Sequence, residues 1–300
     1  MASERVKAYE RAPSMLPLMT RAVLPGIPGL SSVPGIRRAG RELPNLVVRR
    51  LGQPIELDRL TAYSRLCGFG LQATVPVTYP HILAFGLQLS LLTDRRFPFP
   101  ALGLVHIHNA ITQHRPVQTS ERLDLEVRTA NLRPHRRGRQ FDLVTTAIAD
   151  GTVVWEELTT LLRRRGGNPT GPGHQPAPLP TGPVVWRLPA DLGRRYAAVS
   201  GDRNPIHLYS ITARLFGFPR QIVHGMWSLA RCLAELAGRL PAAYTVEAAF
   251  SRPILLPAEV AYATAKQGDQ VRFALADARR GTPHLNGTIT PSTARESQRR

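Results

Sequence analysis

Lysine is almost missing from this chain of 300 residues: of 39 basic side chains, all but Lys7 and Lys266 are arginine. Acidic residues are also few, 21 in all, which leaves a formal net charge of +18. A charge of that size favours an anionic partner. Nucleic-acid recognition asks for more, namely basic residues gathered on one face with stacking aromatics or a known motif. Aromatics make up only 6% of the chain. None of the basic clusters, RRAGR (37–41), RPHRRGR (133–139) and RRR (163–165), contains one, and PHRRGR reads as a turn between strands. No nucleic acid is expected as a partner, whereas a polyanionic small ligand suits the charge. Cysteine is scarce as well. Cys67 and Cys232 each lie in an apolar stretch, so a disulfide framework is excluded and two buried thiols are expected. No apolar run reaches the roughly 18 residues of a membrane span. The nearest, MLPLMTRAVLPGIPGL (15–30), is broken by Arg21 and three prolines, and it lacks the form of a signal peptide. A cytoplasmic protein with no membrane span is expected. Metal-ligand spacing is missing too. His106 and His108 share a strand face and His114 follows, without an acidic or cysteine partner at ligand spacing, so no metal site is expected.

What the chain does have is a core. At 43% hydrophobic it can bury enough apolar surface to fold. Residues 1–45, rich in Gly and Pro, read as an irregular leader; 166–183 (GGNPTGPGHQPAPLPTGP) as a linker; and 291–300 as a polar tail. Between them lie two halves, 46–165 and 184–290, with one internal order. LDRLTAYSRLCGF in the first matches PADLGRRYAAVSGD in the second, with Tyr63 over Tyr196 and Gly68 over Gly201. An apolar helix follows in each, HILAFGLQLSLL (81–92) and HGMWSLARCLAELAGRLP (224–241). Strand-like runs come next, at 104–115, 121–130, 139–149 and 152–162, and at 244–252, 258–266, 270–277 and 283–290, with a Gly-Asp turn at 268–269. This is an internal duplication. An apolar helix followed by antiparallel strands predicts an α+β layered fold.

The halves differ in one stretch, SGDRNPIH (200–207). Phe69 stands where the second half has Asp202, and the first half has no counterpart of His207. A turn needed only for folding belongs in both copies; polar groups kept in one suggest a single site per chain. Pro205 fixes φ near −65° and pushes Asn204 toward extended geometry. A tight turn there lets Asp202 and His207 converge. A carboxylate and an imidazole sharing a water form a general acid–base pair near neutral pH. Asn204 can bond locally, to substrate or to water. Then IVHGM (222–226) opens the apolar helix. Its free N–H groups and positive dipole suit a carbonyl that gains negative charge, and Gly225 leaves the approach clear. His224 reads either as a helix cap or as a member of the site. Ser200 lacks the G-x-S-x-G elbow of a nucleophile.

The stretch YAAVSGDRNPIHLYSITARLFGFPRQIVHGM (196–226) resembles the hydratase-2 motif of the MaoC-like dehydratases, the R-specific enoyl-CoA hydratases. The duplicated layout, over about 46–290, is similar to the double hot-dog members, in which a degenerate N-terminal hot dog pairs with an active C-terminal one. The resemblance implies two long central helices, each wrapped by an antiparallel sheet. It also implies reversible hydration of a trans-2-enoyl thioester to the (3R)-3-hydroxyacyl thioester, as in fatty acid metabolism, with no cofactor. Carried onto this chain, Asp202 and His207 activate the water, Asn204 orients water and acid, and the Gly225 N–H holds the thioester oxygen. Ser200, Gly201, Arg203, His224, Arg252 and Phe69 are further substrate-contact candidates. Arg203 and Arg252 suit the phosphates of an acyl-CoA, and Phe69 offers apolar surface to an acyl tail.

Other readings stay open at this point. A hot-dog thioesterase places an acid on the long helix; here the acid precedes the helix, and Glu235 lies three turns into it. A non-catalytic acyl-thioester-binding or partner subunit would carry an eroded motif. CoA and acyl-carrier protein are both possible carriers, and monomer and homodimer are both possible states.

Overall fold

The computed structural model describes residues 5–23, 42–164 and 184–292. The linker expected over 166–183 lies outside the described residues, as do RRAGR, part of the leader and most of the tail. In chain order the elements are β1 (Arg5–Tyr9), α1 (Met15–Val23), β2 (Leu46–Pro54), α2 (Leu57–Cys67), α3 (Tyr79–Leu92), β3 (Leu104–Gln113), β4 (Arg122–His135), β5 (Gly138–Ala149) and β6 (Thr152–Arg164). The second half adds β7 (Val184–Leu188), α4 (Leu192–Ser200), α5 (Pro205–Leu208), α6 (Ser210–Arg214), α7 (Gly225–Ala234), β8 (Tyr244–Phe250), β9 (Ala258–Gln267), β10 (Gln270–Asp277) and β11 (Pro283–Pro291). Each half thus runs strand, short helix, apolar helix, four strands. Only the second inserts α5 and α6. No helix among the described residues is long and apolar enough to cross a membrane.

Two compact units interleave along the sequence. One comprises Met1–Pro54, Pro80–Ile107 and Glu121–Gly173; the other comprises Ile55–Tyr79, His108–Ser120 and His174–Arg300. In the first unit the strand order is β1-β2-β4-β5-β6, with β1 parallel to β2 and the rest antiparallel. Leu123, Leu125 and Val127 alternate inward along β4, the period of a strand with one buried face. The residues of α3 are apolar nearly all round, with Ile82, Ala84, Leu87, Leu89 and Leu91 buried, so the helix needs cover on most sides. Its polar members find partners on the sheet. His81 Nδ1 lies 2.9 Å from both carboxylate oxygens of Glu157 on β6, and Gln88 donates to Thr145 on β5 at 3.1 Å.

In the second unit β8-β11-β10-β9-β7 form an antiparallel array, and residues 108–113 of β3 pair with β8. Met226, Trp227, Leu229, Ala230, Cys232 and Leu233 of α7 are buried. Tyr262 on β9 donates to the Cys232 carbonyl at 3.1 Å. Both short helices, α2 and α4, belong to this unit, with the rings of Tyr63 and Tyr196 6.2 Å apart. Each helix ends on a glycine in the left-handed region, Gly68 at φ 87° and Gly201 at φ 83°, where a Cβ would be strained. The molecule is α+β, an apolar helix against an antiparallel sheet in each unit, as the hot-dog expectation requires.

Three features depart from the sequence reading. The leader is not wholly irregular: it contains β1 and α1. Pro17 falls in the first turn of α1, where its missing N–H is not needed, and β1 is held by a partner some forty residues away. The second apolar helix stops at Ala234 rather than continuing to 241. Ala237–Arg239 is a 3-10 turn and Leu240 is extended at ψ 145°, as Gly238 and the following Pro241 favour. Strands β2 and β7 were not foreseen, because neither alternates cleanly and each is defined by its neighbour. Elsewhere the strand-like runs are β3–β6 and β8–β11, and PHRRGR forms the β4–β5 turn.

Gly193 in α4 permits a contact that matters for the site. A Cβ there would fall 2.0 Å from the His207 carbonyl oxygen, a backbone atom. Gly193→Ala is expected to lower stability by about 1–3 kcal/mol, whereas Gly238→Ala, with open space around it, is not. Thermal unfolding of both variants checks this.

Candidate active site

The site begins where α4 ends. The Gly201 amide returns to the Ala197 carbonyl at 3.0 Å. The Ser200 hydroxyl, buried, accepts the Asp202 amide at 3.1 Å. Asp202 Oδ1 accepts the Asn204 amide at 3.1 Å, and Asn204 Oδ1 accepts the Ile206 amide at 3.4 Å, capping α5 with Pro205 at its first position. Each short polar side chain thus supports the next peptide, a ladder that local spacing alone can build. Arg59 on α2 reinforces it by donating to the carbonyls of Val199 and Ser200 at 2.9 and 3.2 Å. These are helix-end carbonyls without intrahelical partners.

His207 is placed by its other neighbours. Its Nδ1 lies 2.8 Å from the Ile222 carbonyl. A carbonyl only accepts, so Nδ1 carries the proton and Nε2 keeps a free lone pair. The Ile222 amide returns to the Ile206 carbonyl at 3.0 Å, and the Val223 amide bonds the Ile254 carbonyl at 3.0 Å. This pinned stretch leads into His224 at the N-cap of α7 and Gly225 at its first position. His224 Nε2 lies 3.0 Å from the Asp202 carbonyl oxygen and 3.8 Å from Oδ2. The rings of His207 and His224 stack at 3.7 Å, 25° apart. Asp202, His207 and His224 bring one polar atom each to within 4.8 Å of one another.

Burial governs the charge state. His207 titrates below its usual range chiefly because it is buried, although the Asp202 charge works the other way. His224 is pushed down to about 3, first by burial and then by His207. Both imidazoles are therefore neutral at pH 7, and the carboxylate of Asp202, partly open to solvent, lies in one cluster with them. Among the described residues this is also the group of acids and imidazoles close enough to hold a metal ion. Stacked rings, however, aim their in-plane lone pairs along nearly parallel planes rather than at one point, which is a poor metal cradle.

The structure thus brings together Asp202, His207 and His224, with Asn204 in the same turn as Asp202 and Gly225 next to His224 at the start of α7. Ser200 and Gly201 lie in the supporting turn. Arg203 and Arg252 are exposed, and the Arg252 carbonyl accepts from His284 at 3.0 Å. Phe69 is half-buried past the end of α2, its amide on the Ser64 carbonyl at 2.8 Å; it is not in ring contact with the cluster. A Cβ on Gly225 would meet the Phe250 ring at 3.1 Å, so the glycine keeps the helix tip close to β8. Arg59 was missed, because a side chain that caps a helix 140 positions away leaves no local signal. For His224 the cap reading fails: it sits at the cap position but makes no cap bond.

A neutral buried His224 makes stability depend on pH. Its folded pKa, about 3, lies below the unfolded value of about 6.5. The unfolded chain binds the extra proton within that window, so this contribution is intact above pH ~6.5 and is lost as pH falls toward 3. His224→Gln is expected to flatten the fall in unfolding free energy below pH ~6 by up to about 1.4 kcal/mol per pH unit, as measured by denaturant unfolding across pH.

The family description MaoC like domain matches residues 172–288. The 3-hydroxyacyl-thioester dehydratase X of Mycobacterium tuberculosis is 39% identical over 252 residues, which span 83% of this chain and 90% of that protein. The crystal structure of HtdX from the same organism covers 82% of this chain and 100% of its own, with a TM-score of 0.73 at 38% identity. A MaoC-like dehydratase from Phytophthora capsici, 16% identical, shares the fold with a TM-score of 0.67 over 85% of this chain and 97% of its own.

Proposed function

The chain belongs to the MaoC-like dehydratase family, and from that premise we propose that it is a lyase that adds water to trans-2-enoyl thioesters, giving (3R)-3-hydroxyacyl thioesters, and runs the reverse dehydration. One observation carries the reading: a carboxylate and a neutral imidazole with a free Nε2 lie together, and the 222–224 stretch that His207 bonds leads into the N-terminus of α7.

A water held between Asp202 and His207 attacks C3 of the enoyl group. His207 Nε2 takes one of its protons, while the Nδ1–H bond to Ile222 stabilises the imidazolium that forms. Charge moves to the thioester oxygen, where the Gly225 amide and the positive end of α7 receive it. One such donor lowers a barrier by typically ~3 kcal/mol. The His207 imidazolium then gives that proton to C2, so the site ends each cycle in the charge state in which it began. Asn204 keeps its Oδ1 on the Ile206 amide, leaving its amide group to face the water. Arg203 and Arg252 receive the phosphates of the carrier, and Phe69 lies along the acyl chain. We place the activity in the cytoplasm.

Asp202→Asn and His207→Ala are each expected to lower hydration of crotonyl-CoA at least ~100-fold with circular dichroism unchanged; loss of the enoyl-thioester absorbance is the assay. A kcat unaltered in either variant would remove the assignment. Rising salt is expected to raise KM as the arginine–phosphate pairs are screened. Phe69→Asp is expected to weaken long-chain enoyl thioesters more than the four-carbon one, and a kinetic panel by chain length decides it.

A further inference from the structure

An N-cap side chain ordinarily turns to the free amides of its own helix. The His224 imidazole turns away from them, toward the loop that carries the acid. Its Nε2 reaches the Asp202 carbonyl at 3.0 Å, so Nε2 bears the proton and Nδ1 is a bare lone pair. That Nδ1 is buried and has no hydrogen-bond partner. The ring is 3% exposed. It lies flat against His207 at 3.7 Å, with the Tyr196 ring 4.8 Å away. Among the described residues, the other hydrogen bonds of Asp202 stay inside its own turn, to Ser200 and Asn204. The bond from His224 is the one that comes from outside it.

We propose that His224 is the positioning residue of this site: its imidazole grips the main chain of Asp202 and backs the ring of His207, and its own peptide leads directly into Gly225. The side chain therefore holds the acid–base loop in register with the amides that receive the thioester oxygen. This rests on the hydratase reading above. The arrangement needs a neutral ring. A proton on Nδ1 would place a cation against His207, and burial together with that neighbour keeps it off. The titratable groups around the ring are Asp202, His207 and Tyr196.

The test compares His224→Gln, His224→Asn and His224→Ala with the wild type in crotonyl-CoA hydration. The glutamine amide reaches where Nε2 donates; the shorter asparagine amide does not. In Ala and Asn, kcat is expected to fall about tenfold or more, since a small misplacement of reacting groups suffices for that, with KM within about twofold of wild type. Gln is expected to recover most of the loss. In Ala the acid limb of the kcat–pH profile moves up, because water entering the vacated space relieves the burial of His207. In the Asp202→Asn background, His224→Ala is expected to add little, as coupled groups do. Equal losses in Gln, Asn and Ala with an unmoved acid limb, or no loss in any of them, would overturn the inference and leave His224 a packing residue. Should Ala not fold, the Gln–Asn comparison decides alone. A wild type inactive on enoyl thioesters overturns the hydratase reading instead. The contact is then judged by NMR titration of His207, whose pKa is expected to rise in Asn and to hold in Gln.

Discussion

Two buried imidazoles each give one nitrogen to a main-chain carbonyl, His207 to Ile222 and His224 to Asp202, and the chemistry of the site depends on that. A ring nitrogen bonded to a carbonyl must carry the proton, so the tautomer is set by the backbone. The opposite nitrogen is then a lone pair. Burial keeps both rings neutral where a solvated histidine would be partly charged. A neutral stacked pair can sit 3.7 Å apart; a doubly protonated pair could not. The carboxylate of Asp202 thus lies in one cluster with a neutral imidazole that keeps a free electron pair.

The surrounding fold keeps those carbonyls in place. Ile222 is held between α5 and the segment before β9 by main-chain bonds to Ile206 and, through Val223 and Gln221, to Ile254 and Leu256. The turn that bears Asp202 hangs from the end of α4, whose last carbonyls Arg59 satisfies from α2. Trp227 on α7 donates to the Leu66 carbonyl at 3.2 Å. Arg231, one turn further along α7, lies over the Trp186 ring at 4.4 Å and crowds Gly68. Helix α7 therefore also supports the C-terminal end of α2, the helix from the other copy. A short element of the first half has become scaffolding for the site of the second.

The two copies show what one sequence plan yields after divergence. Both put a histidine at the start of the apolar helix. In the first unit His81 faces Glu157, with both oxygens at 2.9 Å and both residues buried. Gln88 also donates to Glu157 at 3.3 Å, so this pair is part of a buried hydrogen-bonded network. In the second unit the histidine at the helix start, His224, gives its Nε2 to the Asp202 main-chain carbonyl instead, and the Asp202 carboxylate stays partly open. The added helix α5 supplies the second imidazole, His207. The polar chemistry has been kept where the chain lengthened, and in the other copy Phe69 follows the same glycine cap.

Much was legible in the residues because it is locally determined. The alternation of Leu123, Leu125 and Val127, the all-round apolar character of 81–92, the glycines that end α2 and α4, and the Asp-Arg-Asn-Pro turn all act within a few positions, and single stretches of sequence determined them. Leu240 ahead of Pro241 was legible in principle, yet the helical pattern read past it. What only the tertiary structure decided depends on groups far apart in the chain: β1 on β2, Arg59 on the end of α4, and the His224 ring turned to Asp202 rather than to its own helix. The nitrogen that carries the proton belongs with these, because a tautomer answers to whichever carbonyl the fold brings beside it, and no local pattern encodes that neighbour.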